Sequence, residues 1–362
     1  MATHSIYGHS ELREELARAY RTGRLPSVLL FVGVPGVGKQ RLALWLAQLA
    51  LCAEGAATPC GRCRPCRLVL GLAHADLHWF VPIPRPKATE PDKQVEETAQ
   101  ALGEVLEWRR SQPLYSRPDG MAAHTVASAR LLLRIAALTT VEGGRRVFII
   151  GQADRLVPQE SSPEAANALL KFLEEPPASA LVILTTSEAT RVLPTIRSRA
   201  AIARVGRLTD QEVDAFLQEQ VSGISDAERA RRVALAEGSI GRALELAEGS
   251  AEHSAAVEEL LAAVEAGPAG RLERSLRQGS WQARGDFTGL LDALAGALCD
   301  AARDCTGVPP MQPVPAYLRR QRDPARLLAA LERVQTAREA AQGNLNPQLL
   351  LAVLTADLAE VL

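Results

Sequence analysis

Residues 33–40 have the pattern of a phosphate-binding loop. They read Gly-Val-Pro-Gly-Val-Gly-Lys-Gln, after a short apolar run and before an apolar helical pattern. Gly33, Gly36 and Gly38 allow backbone N–H groups to converge on phosphate oxygens, and Lys39 would reach the terminal phosphates. The pattern therefore predicts a nucleotide site at this turn.

The next residue, Gln40, departs from that pattern. A phosphate-binding loop has Ser or Thr here, whose hydroxyl holds Mg²⁺. A second contact is also missing, because the strand that ends at Ile150 runs into Gly151 and Gln152, where an ATPase has an acidic residue and a water-orienting Glu. Asp154 comes three residues after Gly151, and we assign it a turn or capping role. We expect ATP to bind weakly or not at all, and hydrolysis to be slow or absent.

Four cysteines form the second chemical signal. Cys52, Cys60, Cys63 and Cys66 are separated by seven, two and two residues. Four thiolates at such spacing can surround one Zn²⁺ tetrahedrally and leave no position open for catalysis. A disulfide framework suits short secreted chains, and a redox site would need a thioredoxin-like unit. We therefore predict a structural zinc module over residues 52–66.

These residues are positioned by alternating strand and helix patterns, which are typical of a parallel sheet flanked by helices. We predict strands over residues 27–32, 78–81, 146–150 and 181–185 and a helix over residues 41–51. A proline-rich segment, residues 82–125, interrupts the pattern around a helical stretch over residues 95–109, and we interpret it as a surface insertion. No strand pattern follows Leu208.

Composition limits the classes of function. The 362 residues carry a formal net charge of −1 and 47% hydrophobic residues, so the chain can build two or three domains but has no overall basic character for binding nucleic acid unaided. We find no apolar run of the roughly 20 residues that span a membrane and no leader pattern at the amino terminus, and we expect a cytoplasmic protein.

Several segments together resemble the delta-prime and gamma/tau subunits of the bacterial DNA polymerase III clamp loader, a family of AAA+ ATPases. The likeness lies in the phosphate-binding loop, the four cysteines and five further segments: Arg24 to Phe31, His74 to His78, Gly143 to Val147, Ala165 to Pro177 and Thr195 to Arg199. It covers most of residues 8–244. The last hundred or so residues are only compatible with the helical collar of that family.

The resemblance implies an α/β AAA+ P-loop domain over residues 1–206, including the zinc module and the insertion. A small helical lid domain over residues 207–249 and an all-α collar or oligomerisation domain over residues 250–362 would follow. It also implies that Arg199, within Thr195-Ile-Arg-Ser-Arg199, is an arginine finger for a neighbour's ATP. The alternative is a structural role, in which Arg199 only pairs with a nearby carboxylate.

Departures from the family's ATPases distinguish its members. Those motors keep Ser or Thr after the lysine, an Asp-Glu pair and a lid arginine within Gly-Ser-x-Arg, whereas this chain has Gly238-Ser-Ile-Gly-Arg242. The pattern resembles delta-prime, a part of the DNA polymerase III holoenzyme that assembles with gamma/tau-type and delta-type subunits to load the sliding clamp on primer-template DNA. The alternatives are an active gamma/tau-like ATPase and, ranked last, a zinc-dependent DNA-binding protein using Arg62, Arg64 and Arg67.

Overall fold

The computed structural model describes residues 6–55, 57–112, 122–142, 144–156, 164–245, 250–279, 284–308, 310, 312–341 and 346–362. These residues form two compact units, which divide after Glu245. Within the described residues, no helix is long and apolar enough to cross a membrane.

The first unit is built on a five-stranded parallel sheet. Its strands are β1 (Val28–Val32), β2 (Leu77–Phe80), β3 (Arg146–Ile150), β4 (Ala180–Thr186) and β5 (Ala201–Arg204), in the spatial order β2-β3-β4-β1-β5. The first four agree with the predicted strands to within one residue at each end. They are rich in β-branched and other apolar residues, and β3 and β4 are buried throughout, as expected for inner strands of a sheet covered on both faces.

Strand β5 was not predicted from the sequence. This strand pairs with β1 in parallel, with Leu29 opposite Ala201 and Val32 opposite Arg204. Only four residues long and largely exposed, it lacks the continuous apolar run that marks the inner strands. Its position makes it the edge of the sheet, next to the strand that leads into the phosphate-binding loop.

Helices cover this sheet and supply the loops at its edge. They are α1 (Ser10–Arg21), α2 (Lys39–Leu51), α3 (Arg64–Leu70), α4 (Pro91–Ser111), α5 (Val126–Ala136), α6 (Glu164–Glu174) and α7 (Pro194–Arg197). Helix α2 starts two residues earlier than predicted, and most of its length is buried in the core of the unit. The sequence before α6 contains Ser162 and Pro163, a pair typical of a helix start, but these two residues lie outside the described residues.

The proline-rich insertion is closed at its base by a short bridge. Ile83 and Ala123 exchange backbone hydrogen bonds of 3.2 and 3.1 Å, and α4 forms most of the described segment between them. Helix α4 extends beyond the predicted residues 95–109 at both ends. The insertion is therefore anchored at its two ends on the first unit.

A buried polar network fixes the start of β3. The carboxylate of Asp76, which is 1% exposed, accepts hydrogen bonds from the backbone N–H groups of Val141 and Glu142. The guanidinium of Arg146 lies 3.6 Å from that carboxylate and donates to backbone carbonyls after α5. Buried charges are tolerated only when paired and hydrogen-bonded in this way. The His74-Ala-Asp-Leu-His78 segment thus has a structural role.

A small three-helix group follows the sheet and has a core of its own. Its helices are α8 (Asp210–Gln220), α9 (Asp226–Ala236) and α10 (Ile240–Glu245). Thr209 and Ser225 cap the first two, each accepting from the backbone N–H three residues later. These helices belong to the first compact unit, and the helical lid domain over residues 207–249 stays a prediction.

The second unit is helical throughout its described residues. It contains α11 (Ser250–Glu265), α12 (Pro268–Leu276), α13 (Arg284–Cys305), α14 (Ala316–Arg319), α15 (Pro324–Ala341) and α16 (Pro347–Val361). Leucines such as Leu291, Leu327 and Leu351 are fully buried at its centre. This is the all-α architecture predicted for residues 250–362.

Candidate nucleotide and metal sites

The predicted phosphate-binding loop lies between β1 and α2, at the carboxyl edge of the sheet. Gly36 and Gly38 have φ angles of 74° and 94°, which L side chains rarely adopt. Gly38 is the residue before α2, so the amino terminus of that helix faces the loop. The backbone therefore has the geometry that the sequence predicts for binding phosphate.

The ammonium group of Lys39 is occupied by the chain itself. It donates to the carbonyls of Gly33 and Val34 at 2.8 Å each and to Ser187 Oγ at 2.9 Å. Burial lowers the pKa of Lys39 to about 8, and the nearby charge of Asp154 partly opposes that shift. A phosphate group would have to replace these three bonds in order to be held by Lys39.

Gln40 and Gly151 lie against each other where a P-loop ATPase holds Mg²⁺. A Cβ atom on Gly151 would be 2.9 Å from Gln40 Nε2 and 3.3 Å from Gln40 Cδ. The larger side chain of Gln40 thus takes the space next to the position that carries an acidic residue in an ATPase. Its Oε1 atom is buried without a hydrogen-bond partner among the described residues.

The carboxylate of Asp154 is used within the site. It lies in a 3₁₀ turn, Ala153–Leu156, beyond the end of β3, and accepts a hydrogen bond of 2.6 Å from Thr186 Oγ1. Thr186 is the last residue of β4. The predicted position of Asp154 past the strand is confirmed, and its bond ties the ends of β3 and β4 together.

A buried histidine holds the backbone at Gly151. The Nε2 atom of His124 lies 2.7 Å from the Gly151 carbonyl, so this nitrogen carries the proton and donates. Complete burial lowers the pKa of His124 to about 4. His124 is neutral at pH 7 and acts here as a hydrogen-bond donor.

The three-helix group of α8, α9 and α10, called the lid group below, contacts the phosphate-binding loop directly. Ser239 Oγ donates to the Pro35 carbonyl at 2.8 Å, and the backbone N–H of Gly241 donates to the Gly36 carbonyl at 3.0 Å. A Cβ atom on Gly36 would be only 2.4 Å from Ser239 Oγ, so this approach requires glycine. The loop and the lid are held together by these contacts.

Arg242, the arginine of the Gly238-Ser-Ile-Gly-Arg242 segment, pairs with a carboxylate of the three-helix group. Arg242 forms an ion pair of 2.9 Å with Glu237 of the lid group, and both side chains are 45% exposed. The arginine that is shifted by one position from Gly-Ser-x-Arg thus has Glu237 as its partner.

The four predicted metal ligands come together. Their Sγ atoms all lie within 4.8 Å of one another, with Cys52 and Cys63 4.0 Å apart and Cys60 and Cys66 3.9 Å apart. Sulfur ligands at about 2.3 Å from a tetrahedral metal are about 3.8 Å apart, which matches these distances. The donor set and the spacing fit one metal ion.

Local structure places these thiols. Cys52 follows the last residue of α2, and Cys63 caps α3. The backbone N–H of Cys63 points at the sulfur of Cys60 and lowers the pKa of Cys60 to about 7, whereas burial raises the pKa of Cys66. N–H groups aimed at sulfur stabilise the thiolate form that a metal requires.

The arginines beside the cysteines are mostly paired. Arg62 forms an ion pair with Glu54 at 3.0 Å, and Arg64 forms one with Glu142 at 2.8 Å. Such pairing reduces the positive charge that would face DNA, so this segment gives little support to the zinc-dependent DNA-binding alternative.

Arg199 lies just after α7 and forms an ion pair with Glu174 at the end of α6. Its Nε donates to Glu174 Oε1 at 2.7 Å, its Nη2 also contacts that oxygen, and its Nη1 donates to the Thr195 carbonyl at 2.7 Å. The side chain remains 30% exposed. The carboxylate pairing considered above is thus present within the chain, on a side chain that solvent can reach.

Three residues at these sites were not singled out as functional in the sequence analysis. Ser239 and Glu174 were noted only as letters of longer motifs, and His9, whose Nε2 lies 2.7 Å from the Val37 carbonyl, was not noted. The only local signal was the Gly-Ser pair at the lid turn. Contacts across 25 to 200 residues leave no spacing pattern that a single sequence can reveal.

The parallel sheet and the glycine loop between β1 and α2 define a P-loop domain. The family described as "DNA polymerase III, delta subunit" matches residues 8–209, more than half of the chain. The chain therefore belongs to this family, in its delta-prime branch.

Individual relatives agree with that assignment. The chain is 31% identical over 237 residues to DNA polymerase III subunit delta' of Escherichia coli, covering 65% of this chain and 59% of that protein. It is 30% identical over 197 residues to the delta' subunit of Bacillus subtilis, covering 54% and 47%. It is also 31% identical over 197 residues to the gamma/tau subunit of Mycobacterium tuberculosis, covering 54% and 27%. The chain spans about half the length of the two delta' relatives.

Proposed function

We propose that this chain is a delta-prime-type subunit of a clamp loader, which assembles with ATP-hydrolysing subunits and loads the sliding clamp on DNA during replication in the cytoplasm. One observation carries the proposal: Gln40 and Gly151 replace the Mg²⁺ contacts of an ATPase, while Arg199 and the four-cysteine cluster are kept. A subunit with this combination would serve a neighbour's ATP site and have little turnover of its own.

Weak or absent ATP use follows from the loop contacts. Lys39 and Gly36 already bind groups of this chain, and an Mg²⁺ ion would lack both its hydroxyl and its carboxylate ligand. The loop would then act mainly as a folding element that joins the sheet to the lid.

The cysteine cluster would hold Zn²⁺ in a structural role. Cys52, Cys60, Cys63 and Cys66 supply four sulfur ligands, which fill a tetrahedral shell and leave no site for substrate. Zn²⁺ would hold the four thiolates together against their mutual repulsion, and it would thereby fix the segment between α2 and α3.

Arg199 would act as the arginine finger in trans. Such a guanidinium stabilises the charge on a transferring phosphoryl group and contributes about 10³-fold or more in rate at the site that it serves. Glu174 would hold the side chain in place within the separate subunit, and the phosphate of a neighbour would replace this carboxylate upon assembly.

The second unit offers an apolar surface for assembly. Leu272 and Leu276 of α12 are 59% and 65% exposed, and Leu349 and Val353 of α16 are 67% and 59% exposed. The two helices are neighbours, since Gln348 Nε2 donates to the Leu276 carbonyl at 3.3 Å. Exposed aliphatic side chains on two adjacent helices are typical of a protein interface. We assign residues 250–362 the role of a collar.

Reconstitution tests this proposal. The tagged chain is mixed with the gamma/tau-type and delta-type subunits of the same organism, and co-elution and DNA-stimulated ATPase are measured. We expect a stable complex whose ATPase requires the other subunits, and negligible turnover by this chain alone. Turnover by the pure chain at roughly 1 s⁻¹ or faster would favour the gamma/tau-like alternative, and failure to co-elute would contradict the clamp-loader role.

A further inference from the structure

A groove of about 500 Å³ runs along the exposed edge of the sheet at β5. Its lining combines apolar and cationic side chains, namely Val32, Val34, Ile202, Arg197, Arg204 and Arg207. It lies within the first unit; Gly33 and Val34 of the phosphate-binding loop also line it, but none of the cysteines and neither Lys39 nor Arg199 does. Neither the nucleotide loop nor the arginine finger explains why an apolar groove should be bordered by three guanidinium groups.

The cations of this groove are poorly neutralised. No described residue is paired with Arg197 or Arg204, and the Nε atom of Arg197 is buried without a hydrogen-bond partner among the described residues. Arg207 contacts Glu237, whose carboxylate is 3.5 Å away and is shared with Arg242. The groove therefore has an excess of positive charge and a buried donor with no partner, which favours an anionic occupant.

The backbone of β5 adds a second recognition element. The backbone N–H of Val205 donates to the Val32 carbonyl. The backbone N–H and C=O groups of residues 203 and 205 therefore point toward β1. Because these directions alternate along a strand, the N–H and C=O groups of Ile202 and Arg204 point away from the sheet. Among the described residues none bonds to these outward groups, and Ile202 is 54% exposed. This is an open sheet edge, to which an extended peptide can add as a strand.

We propose that this groove, the β5 groove, binds an extended acidic peptide segment of a partner protein, whose backbone pairs with β5 and whose carboxylates contact Arg197 and Arg204. Ile202 and Arg204 are two residues apart in β5 and share a face of the sheet, so apolar and acidic side chains of the segment would alternate along one of its faces to pack on Ile202 and to contact Arg204. Charge complementarity and the free edge support this occupant. A nucleic acid strand would satisfy the guanidinium groups but would leave the outward N–H and C=O groups of β5 unused.

A binding assay with the purified full-length chain tests the proposal independently of clamp loading. The probe is a fluorescein-labelled peptide of about six residues in which Val and Asp alternate along one face of the extended chain, with Ser at the positions between them. The comparison probes are the matching Lys and Val peptide and a single-stranded oligonucleotide of the same number of units. We expect the acidic peptide to bind best, and charge reversal by Arg204→Glu or Arg197→Glu to weaken its binding about tenfold or more.

The control variant is Arg130→Glu, which makes the same charge change on an exposed arginine of α5 that also has no described partner. It should leave peptide binding unchanged, and thermal melts should show that all three variants remain folded. Hydrogen exchange supplies an independent readout, because the bound peptide should slow exchange at the amides of Ile202 and Arg204. Absence of peptide binding, stronger binding of the oligonucleotide, an equal effect of Arg130→Glu, or unchanged exchange at β5 would overturn the proposal.

Discussion

The amide of Gln40 occupies the space beside Gly151, so a larger residue at position 151 would have to displace the end of the Gln40 side chain. An ideal Cβ at position 151 would lie 2.9 Å from Gln40 Nε2, closer than real Cβ contacts. We therefore expect Gly151→Asp, which restores the acidic residue of an ATPase, to destabilise the protein by about 1–3 kcal/mol, because it overpacks the site. Urea unfolding measures this change.

The pair also predicts coupling. Gln40→Thr shortens the opposing side chain, so the double variant should be more stable than the sum of the single effects by about 1 kcal/mol. A matched control is Gly103→Asp, since a Cβ at Gly103 meets nothing within 4 Å and Gln40→Thr should not couple to it. Additive effects at positions 40 and 151 would contradict the fit described here.

The cysteine cluster predicts one Zn²⁺ per chain in reduced, freshly purified protein. Cys63→Ser removes one ligand and the cap of α3, so we expect loss of the ion and a lower melting temperature of the first unit. Metal analysis and thermal unfolding check this result. Cys299→Ser lies outside the cluster and should keep one ion per chain, and a wild-type chain without metal would end the zinc assignment.

Arg199 should matter only in the complete complex. We expect Arg199→Ala to leave folding and assembly unchanged and to lower the DNA-stimulated ATPase about tenfold or more at the site that it serves. Arg199→Lys should not restore the rate fully, because an ammonium group lacks the planar fork of donors. Arg64→Ala, which also removes an arginine from an ion pair, is the control. Unchanged ATPase in a normal complex of Arg199→Ala would refute the finger.

The apolar surface of the second unit predicts an assembly defect that leaves the fold intact. The double variant Leu276→Glu with Leu349→Glu places two charges on exposed positions of α12 and α16, so its stability should change by less than about 1 kcal/mol. Co-elution with partner subunits should be lost. Leu328→Glu introduces a charge at a similarly exposed leucine of α15 and should assemble normally. Equal behaviour of the two variants would argue against this interface.

Burial of His124 predicts loss of stability in acid. The folded pKa of about 4 is below the ordinary value of 6.5, so the unfolded chain binds the proton more strongly. The stability that comes from keeping His124 neutral in the folded chain is fully present above pH 6.5 and is lost as the pH falls toward 4. Between pH 7 and pH 5 the loss in the free energy of unfolding amounts to about 2 kcal/mol. In urea unfolding, His124→Gln should show a smaller loss over this range than the wild type, and an identical loss would contradict the assignment.

Elements that carry a local signal can be predicted from the amino-acid sequence of this chain. The inner strands β1, β3 and β4 are continuous apolar runs, and the glycines of the loop and the spacing of the cysteines follow from covalent reach and backbone geometry. Each of these depends on neighbours within about ten residues, which is why periodicity and spacing suffice to find them.

Which of these groups come into contact depends on how distant segments pack together. The fit of Gln40 to Gly151, the pairing of Arg199 with Glu174 and the bond from Ser239 to Pro35 join residues that are distant along the chain. The edge strand β5 also escaped prediction, since four exposed residues have no apolar pattern and gain their strand conformation from pairing with β1. Packing between elements sets these contacts, and no local property of the residues encodes them.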